Sequence, residues 1–139
     1  MDMGEASRRA NAVVGIDAQS IQEVQASLDK FGIRYARRLF TNHEIECCLG
    51  DSISIASSYA GRFAAKEAVL KILTPREIIP SWKEIEVREL RRGRAKIGLH
   101  GIAAKLAHQK GIAGISVSIS CGGGFAMAAA VATLEIRRG

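Results

Sequence analysis

Arg62-Phe63-Ala64-Ala65-Lys66-Glu67-Ala68-Val69-Leu70-Lys71-Ile72-Leu73 is the run whose reading decides how the rest of the chain must fold. It closes a proline-free, alanine-rich segment from about Ser57 to Leu73, and that composition predicts the strongest helix in the sequence. At about 100° per residue, with Arg62 at zero, Lys66 falls at about 40°, Glu67 at about 140° and Lys71 at about 180°. Apolar side chains fill most of the remaining circumference, which predicts burial on several sides. In so short a chain, a helix of that kind is expected to need a partner subunit as well as its own core. Each of its charges then needs a partner too.

On the N-terminal side, Val13-Val14-Gly15-Ile16-Asp17 reads as a short strand, with Asp17 where strand turns into loop. Ile21, Val24 and Leu28 recur at helical spacing, and the glycine of Lys30-Phe31-Gly32 supplies the stop. Thr41-Asn42-His43-Glu44 has the capping-box pattern of a helix start, and Gly50-Asp51-Ser52 breaks the chain before the long helix. Beyond Thr74-Pro75 the period changes. Ile85 and Val87, then Ile97 and Leu99, predict two strands joined by an arginine-rich turn, followed by a helix from about Ile102 to Gln109. Ile115, Val117 and Ile119 alternate with Ser116, Ser118 and Ser120, and Gly122-Gly123-Gly124 turns the chain into a strand from Phe125 to Ile136. The fold class is therefore α+β, a small antiparallel sheet packed with a long central helix.

At 139 residues, with 47% hydrophobic and 24% charged residues and two prolines, the composition predicts one domain over residues 1–139, with 1–11 flexible. No apolar run reaches the roughly 18 residues of a membrane span, and the start lacks a signal-peptide core, so a cytoplasmic protein with no membrane partner is expected. Three cysteines, Cys47, Cys48 and Cys121, show no zinc-ligand spacing and are read as reduced thiols. The formal charge of +6 favours acidic partners, but 5% aromatic residues give little for base stacking, and nucleic acid is not expected as a partner. His43, His100 and His108 are scattered with no nucleophile pattern nearby.

Asp17 and Glu67 are the carboxylates that point to chemistry. One ends an apolar strand and the other is embedded in an apolar helix, and each is costly there unless a cation answers it. Mg²⁺ is one such cation, since it is held by one or two protein carboxylates with water and phosphates in its other positions. Lys71, one turn after Glu67, would face the same phosphates. A plain Glu67–Lys71 ion pair, worth about 0.2–0.5 kcal/mol, is the simpler account of the spacing alone. The triple glycine likewise suits either a phosphate nest or an ordinary hairpin turn.

Four segments occur in a telling order and spacing: Gly15-Ile16-Asp17; Lys30-Phe31-Gly32 through Arg38-Leu39-Phe40-Thr41-Asn42-His43-Glu44; Arg62-Phe63-Ala64-Ala65-Lys66-Glu67-Ala68; and Trp82 to Gly101 followed by Val117-Ser118-Ile119-Ser120. In these residues the chain resembles the bacterial holo-acyl-carrier-protein synthases, the small 4′-phosphopantetheinyl transferases. The resemblance implies that family's fold, a homotrimer with sites between subunits, and Mg²⁺-dependent transfer of phosphopantetheine from coenzyme A to a serine of an acyl carrier protein. It implies Asp17 and Glu67 as metal carboxylates, with Glu67 also helping a water or the serine lose its proton. Lys71 would hold the pyrophosphate, Arg62 and Lys66 would lie around the coenzyme, and Ser120 and Cys121 would stand at its nucleotide.

Departures from the family pattern accompany the matches. Ser120-Cys121 replaces Ser-His, which removes an imidazole from the nucleotide's 3′-phosphate; a charged hydrogen bond of about 1.5–3 kcal/mol corresponds to about ten- to a hundred-fold in affinity. Leu73-Thr74-Pro75-Arg76 replaces a Gly-Thr-Gly, Gly93-Arg94-Ala95 a Gly-Lys-Pro, and Ala18-Gln19-Ser20 an Ile-Val-Glu. Glu23 stands where relatives carry an arginine that meets the acidic carrier. Such a reversal penalises one partner and favours another, which implies a specialised carrier protein, such as one of secondary metabolism. A catalytically silent member that binds carrier proteins or assembles with other biosynthetic subunits is the alternative.

Overall fold

The computed structural model describes residues 11–135. The flexibility expected of the first residues, the last position of the final strand at Ile136 and the arginine pairs Arg8-Arg9 and Arg137-Arg138 fall outside them. The elements run β1 (Ala12–Ser20), α1 (Ile21–Phe31), α2 (Ile33–Leu39), α3 (Asn42–Gly50), α4 (Ile55–Leu73), a 3₁₀ turn (Trp82–Glu84), β2 (Ile85–Arg91), β3 (Arg94–Leu99), α5 (Gly101–Gln109), β4 (Ile112–Gly122) and β5 (Phe125–Leu134). The strands form one five-stranded sheet in the order β1-β5-β4-β3-β2, with every neighbouring pair antiparallel. Among the described residues no helix is long and apolar enough to cross a membrane.

Local chemistry sets the boundaries. The Ser20 side chain caps α1 by accepting from the Glu23 amide, and Gly32, at φ 60°, ends it. Thr41 and Glu44 form the full capping box of α3. Ser54 caps α4, so that helix starts at Ile55, ahead of the Ser57 that composition marked. Gly123 and Gly124 both have positive φ, the signature of a tight hairpin turn, which settles the triple glycine in favour of the turn.

Two expectations are corrected. Strand β1 does not stop at Asp17 but stays paired to β5 through Ser20↔Phe125, so Asp17 lies within the strand opposite Ala128. The central helix is also buried by its own chain: Ala64, Ala65, Ala68, Val69 and Leu73 have no exposed surface, and no second subunit is needed to cover them. One apolar cluster joins α4 to the sheet and α5, and a second lies under α1, α2 and α3 against the first half of α4.

The helix lies close to the sheet because the facing side chains are small. Ala126, Ala128, Ala130 and Ala132 of β5 are all buried against it. That contact explains why an alanine-rich segment is a strand here, since packing outweighs propensity. At Gly15 the approach is closest: a Cβ there would stand 2.1 Å from the Ala68 carbonyl oxygen. The opposite face of β1 and β5 is uncovered and apolar. Val14, Ile16, Phe125, Met127 and Val131 are all exposed on it, and the register places Val14 beside Val131.

Candidate active site

The tight Gly15–Ala68 contact brings the inward side chain two residues further along β1 onto the C-terminal half of α4. Lys71 Nζ donates to the Ile16 carbonyl at 2.6 Å and to Asp17 Oδ1 at 3.1 Å. Glu67, one turn earlier, is half-buried. Burial pushes its pKa up, and the charge of Asp17 and a hydrogen bond to it push it further, against the opposing pull of Lys71. Two carboxyls distant in sequence thus meet across the strand–helix contact, with an ammonium beside them. The Glu67–Lys71 pair that spacing allowed is not formed: among the described residues, Lys71 pairs with Asp17.

A carboxyl pair of this kind repels itself unless a proton or a cation sits between the two groups. No group of three or more His, Cys, Asp or Glu side chains converges among the described residues, so the donor set consists of these two acids. Hard oxygen donors, few in number and beside a lysine that is more than half exposed, fit Mg²⁺, which leaves most of its positions to water and phosphate. Gln19, noted in the sequence only as a departure from the family pattern and given no role there, donates from Nε2 to Asp17 Oδ2 at 2.8 Å. Its place two residues after Asp17 on one strand face, together with the departure from the family's valine, was the signal available for it.

The other two signature cations turn away from this site. Lys66 is fully buried, and its ammonium donates to Glu44 Oε1 at 2.7 Å, to the Trp82 carbonyl at 2.9 Å and to the Ile85 carbonyl at 2.6 Å. All three protons are used within the chain, leaving none for a coenzyme. Desolvation lowers the Lys66 pKa, and Glu44 opposes that shift. Glu44 is itself saturated, taking the Thr41 amide at 2.9 Å and the Val87 amide at 3.0 Å. Arg62 is buried as well, donating to Asp51 Oδ2 at 3.0 Å and to the Ser58 carbonyl at 3.4 Å, with Nε unpartnered. Ser120 and Cys121 are exposed near the end of β4, which β5 separates from β1. Ser120 lies in register with Met127 and Ala18 on the face opposite Asp17, whereas Cys121 lies in register with Ala126 and Gln19 on the Asp17 face, two strands over.

A five-stranded antiparallel sheet packed with a long helix agrees with what known proteins show. The family described as the 4′-phosphopantetheinyl transferase superfamily matches residues 13–130. The chain belongs to that superfamily, and it is an enzyme of that class. Within it, the chain is similar to the small holo-acyl-carrier-protein synthases. It is 35% identical over 119 residues to the holo-[acyl-carrier-protein] synthase of Desulforudis audaxviator, covering 86% of this chain and 90% of that one. The corresponding enzyme of Geobacter sulfurreducens is 40% identical over 119 residues, covering 84% and 93%. The solved Chronobacterium ammoniagenes ACPS-CoA complex superposes with a TM-score of 0.76 at 29% identity, covering 91% of this chain and 100% of that one.

Proposed function

We propose that the chain transfers 4′-phosphopantetheine from coenzyme A to a serine of an apo acyl carrier protein, with Mg²⁺ held by Asp17 and Glu67. The observation that carries this reading is the meeting of those carboxyls beside Lys71. In the reaction the serine oxygen forms a bond to the phosphorus bearing the pantetheine arm. The diphosphate linkage breaks, and adenosine 3′,5′-bisphosphate leaves with the bridging oxygen. When bound, Mg²⁺ draws charge from the diphosphate oxygens. Lys71, more than half exposed, is free to turn its ammonium from Asp17 to those oxygens and steady them as charge builds. Glu67 takes the serine proton, directly or through a water, a role suited to a carboxyl whose pKa burial raises.

A homotrimer forms part of the proposal. It is supported by the apolar outer face of β1 and β5, which a neighbouring copy would cover, and by the exposed Ser120, which faces away from the acidic pair of its own chain. Arg62 and Lys66 then serve by holding α4 in place. A specialised carrier is supported by Glu23, exposed on α1 where the family pattern carries an arginine, which sets a carboxylate against an acidic partner. A cytoplasmic setting suits the three free thiols.

The silent-scaffold reading draws on Ser20, Glu23, Thr74 and Cys121, yet Asp17, Glu67 and Lys71 are retained together and in contact. Intact-mass analysis of apo carrier proteins incubated with the chain, coenzyme A and Mg²⁺ decides between them. Addition of a phosphopantetheine mass, lost by at least a hundred-fold in rate in Glu67→Gln, is the expected result. A folded protein that modifies no carrier in a broad panel and shows no Mg²⁺-dependent heat with coenzyme A is a scaffold.

A further inference from the structure

We propose that Gln19 is a positioning residue that fixes which oxygen of Asp17 is offered to a divalent cation, and so favours Mg²⁺ over Ca²⁺. The inference rests on the assignment of Asp17 and Glu67 as metal carboxylates. Gln19 follows Asp17 by two residues on β1, so the pleat turns both side chains to the face that looks at α4. Its amide donates to Asp17 Oδ2 at 2.8 Å, while Lys71 reaches Oδ1 at 3.1 Å. The two contacts differ in kind. Lys71 is 54% exposed on another element and can swing away to a phosphate. Gln19 is half-buried, belongs to the same strand as its acceptor and moves with it.

A carboxylate whose Oδ2 is held by an amide offers Oδ1 as a single ligand. Mg²⁺ needs near-octahedral oxygens at about 2.0–2.1 Å, a geometry that a two-oxygen bite from one carboxylate strains. Ca²⁺ is larger, takes about six to eight oxygens and readily accepts both oxygens of one carboxylate. Gln19 therefore closes the mode that Ca²⁺ uses and leaves open the mode that Mg²⁺ uses. The valine of the family pattern has no donor, so the device belongs to this chain.

The test uses the full chain with Gln19→Leu, which keeps the bulk and removes the donor, and with Gln19→Val, a residue at home in the strand. Mg²⁺ and Ca²⁺ are titrated separately by calorimetry in the presence of coenzyme A, alongside the transfer rate against Mg²⁺ and the KM for coenzyme A. Both variants are expected to bind Mg²⁺ about 10-fold more weakly, the usual loss when the partner of a ligating carboxylate is removed. Ca²⁺ binding should be unchanged or tighter, and the KM for coenzyme A should stay within about two-fold. Equal weakening of both ions, or no change in either, overturns the proposal. Asp17→Asn separates this from the underlying assignment. If it binds Mg²⁺ like the parent, the metal site itself is misassigned; if it loses Mg²⁺ while both Gln19 variants behave as the parent, only the role of Gln19 falls.

Discussion

The two halves of α4 carry the same kinds of side chain and use them in opposite ways. In the first half, Arg62 and Lys66 are buried and committed to Asp51, Glu44 and backbone carbonyls. In the second, Glu67 and Lys71 reach a more open edge, where an acid meets an acid. One half is electrostatically complete without a ligand. The other is left short of positive charge, and that shortage is what a cation would relieve. The charged residues of a single signature motif therefore stand in two different environments.

The sharpest way to break the contrast is Lys66→Met. It strands the Glu44 carboxylate in the core and should cost about 3–5 kcal/mol of stability by chemical denaturation, with any loss of transfer following from unfolding. The double variant Lys66→Met with Glu44→Gln should recover much of that loss, because no charge is left unpaired. Glu67→Gln, already set out as the test of catalysis, should behave oppositely and leave the metal-free protein at least as stable near neutral pH. The sign follows from the raised pKa: the unfolded chain gives up the proton first, so stability falls as pH rises from the unfolded value through the folded one, and glutamine removes that loss.

Gly15→Ala probes the junction between the halves. A methyl 2.1 Å from the Ala68 carbonyl oxygen must push β1 off α4, at a cost of about 1–3 kcal/mol. Because that shift parts Asp17 from Glu67, the Mg²⁺ needed for half-maximal transfer should rise while the KM for coenzyme A changes little. Smallest is Thr74→Gly. Thr74 caps the C-terminus of α4 at φ 40°, ψ 59°, a left-handed conformation unfavourable to a β-branched residue. Glycine should add about 1 kcal/mol, read as a melting temperature about 4 °C higher, with the first half of the helix unaffected.

Much of this architecture was legible in the sequence because period and caps agree with the fold. The Thr41–Glu44 box, the glycine stop at Gly32 and the alternation in β4 each placed an element within a residue or a few. Helix α2 went unread because it is a single short stretch whose buried anchors, Ala36 and Phe40, are too few to show a period. The fate of Lys66 was illegible for a different reason. Nothing local distinguishes a lysine that faces a ligand from one neutralised by Glu44, since the partner arrives through tertiary packing of α3. The same holds for Asp17, whose place in mid-strand depends on the reach of β5.

The alanines at 126, 128, 130 and 132 carry no charge and make no polar side-chain contact, yet they set the gap between strand and helix across which the acids meet. In a deep mutational scan they should tolerate replacement as poorly as the carboxylates do. Ranking positions by intolerance alone would therefore draw a false catalytic stripe down the middle of the sheet.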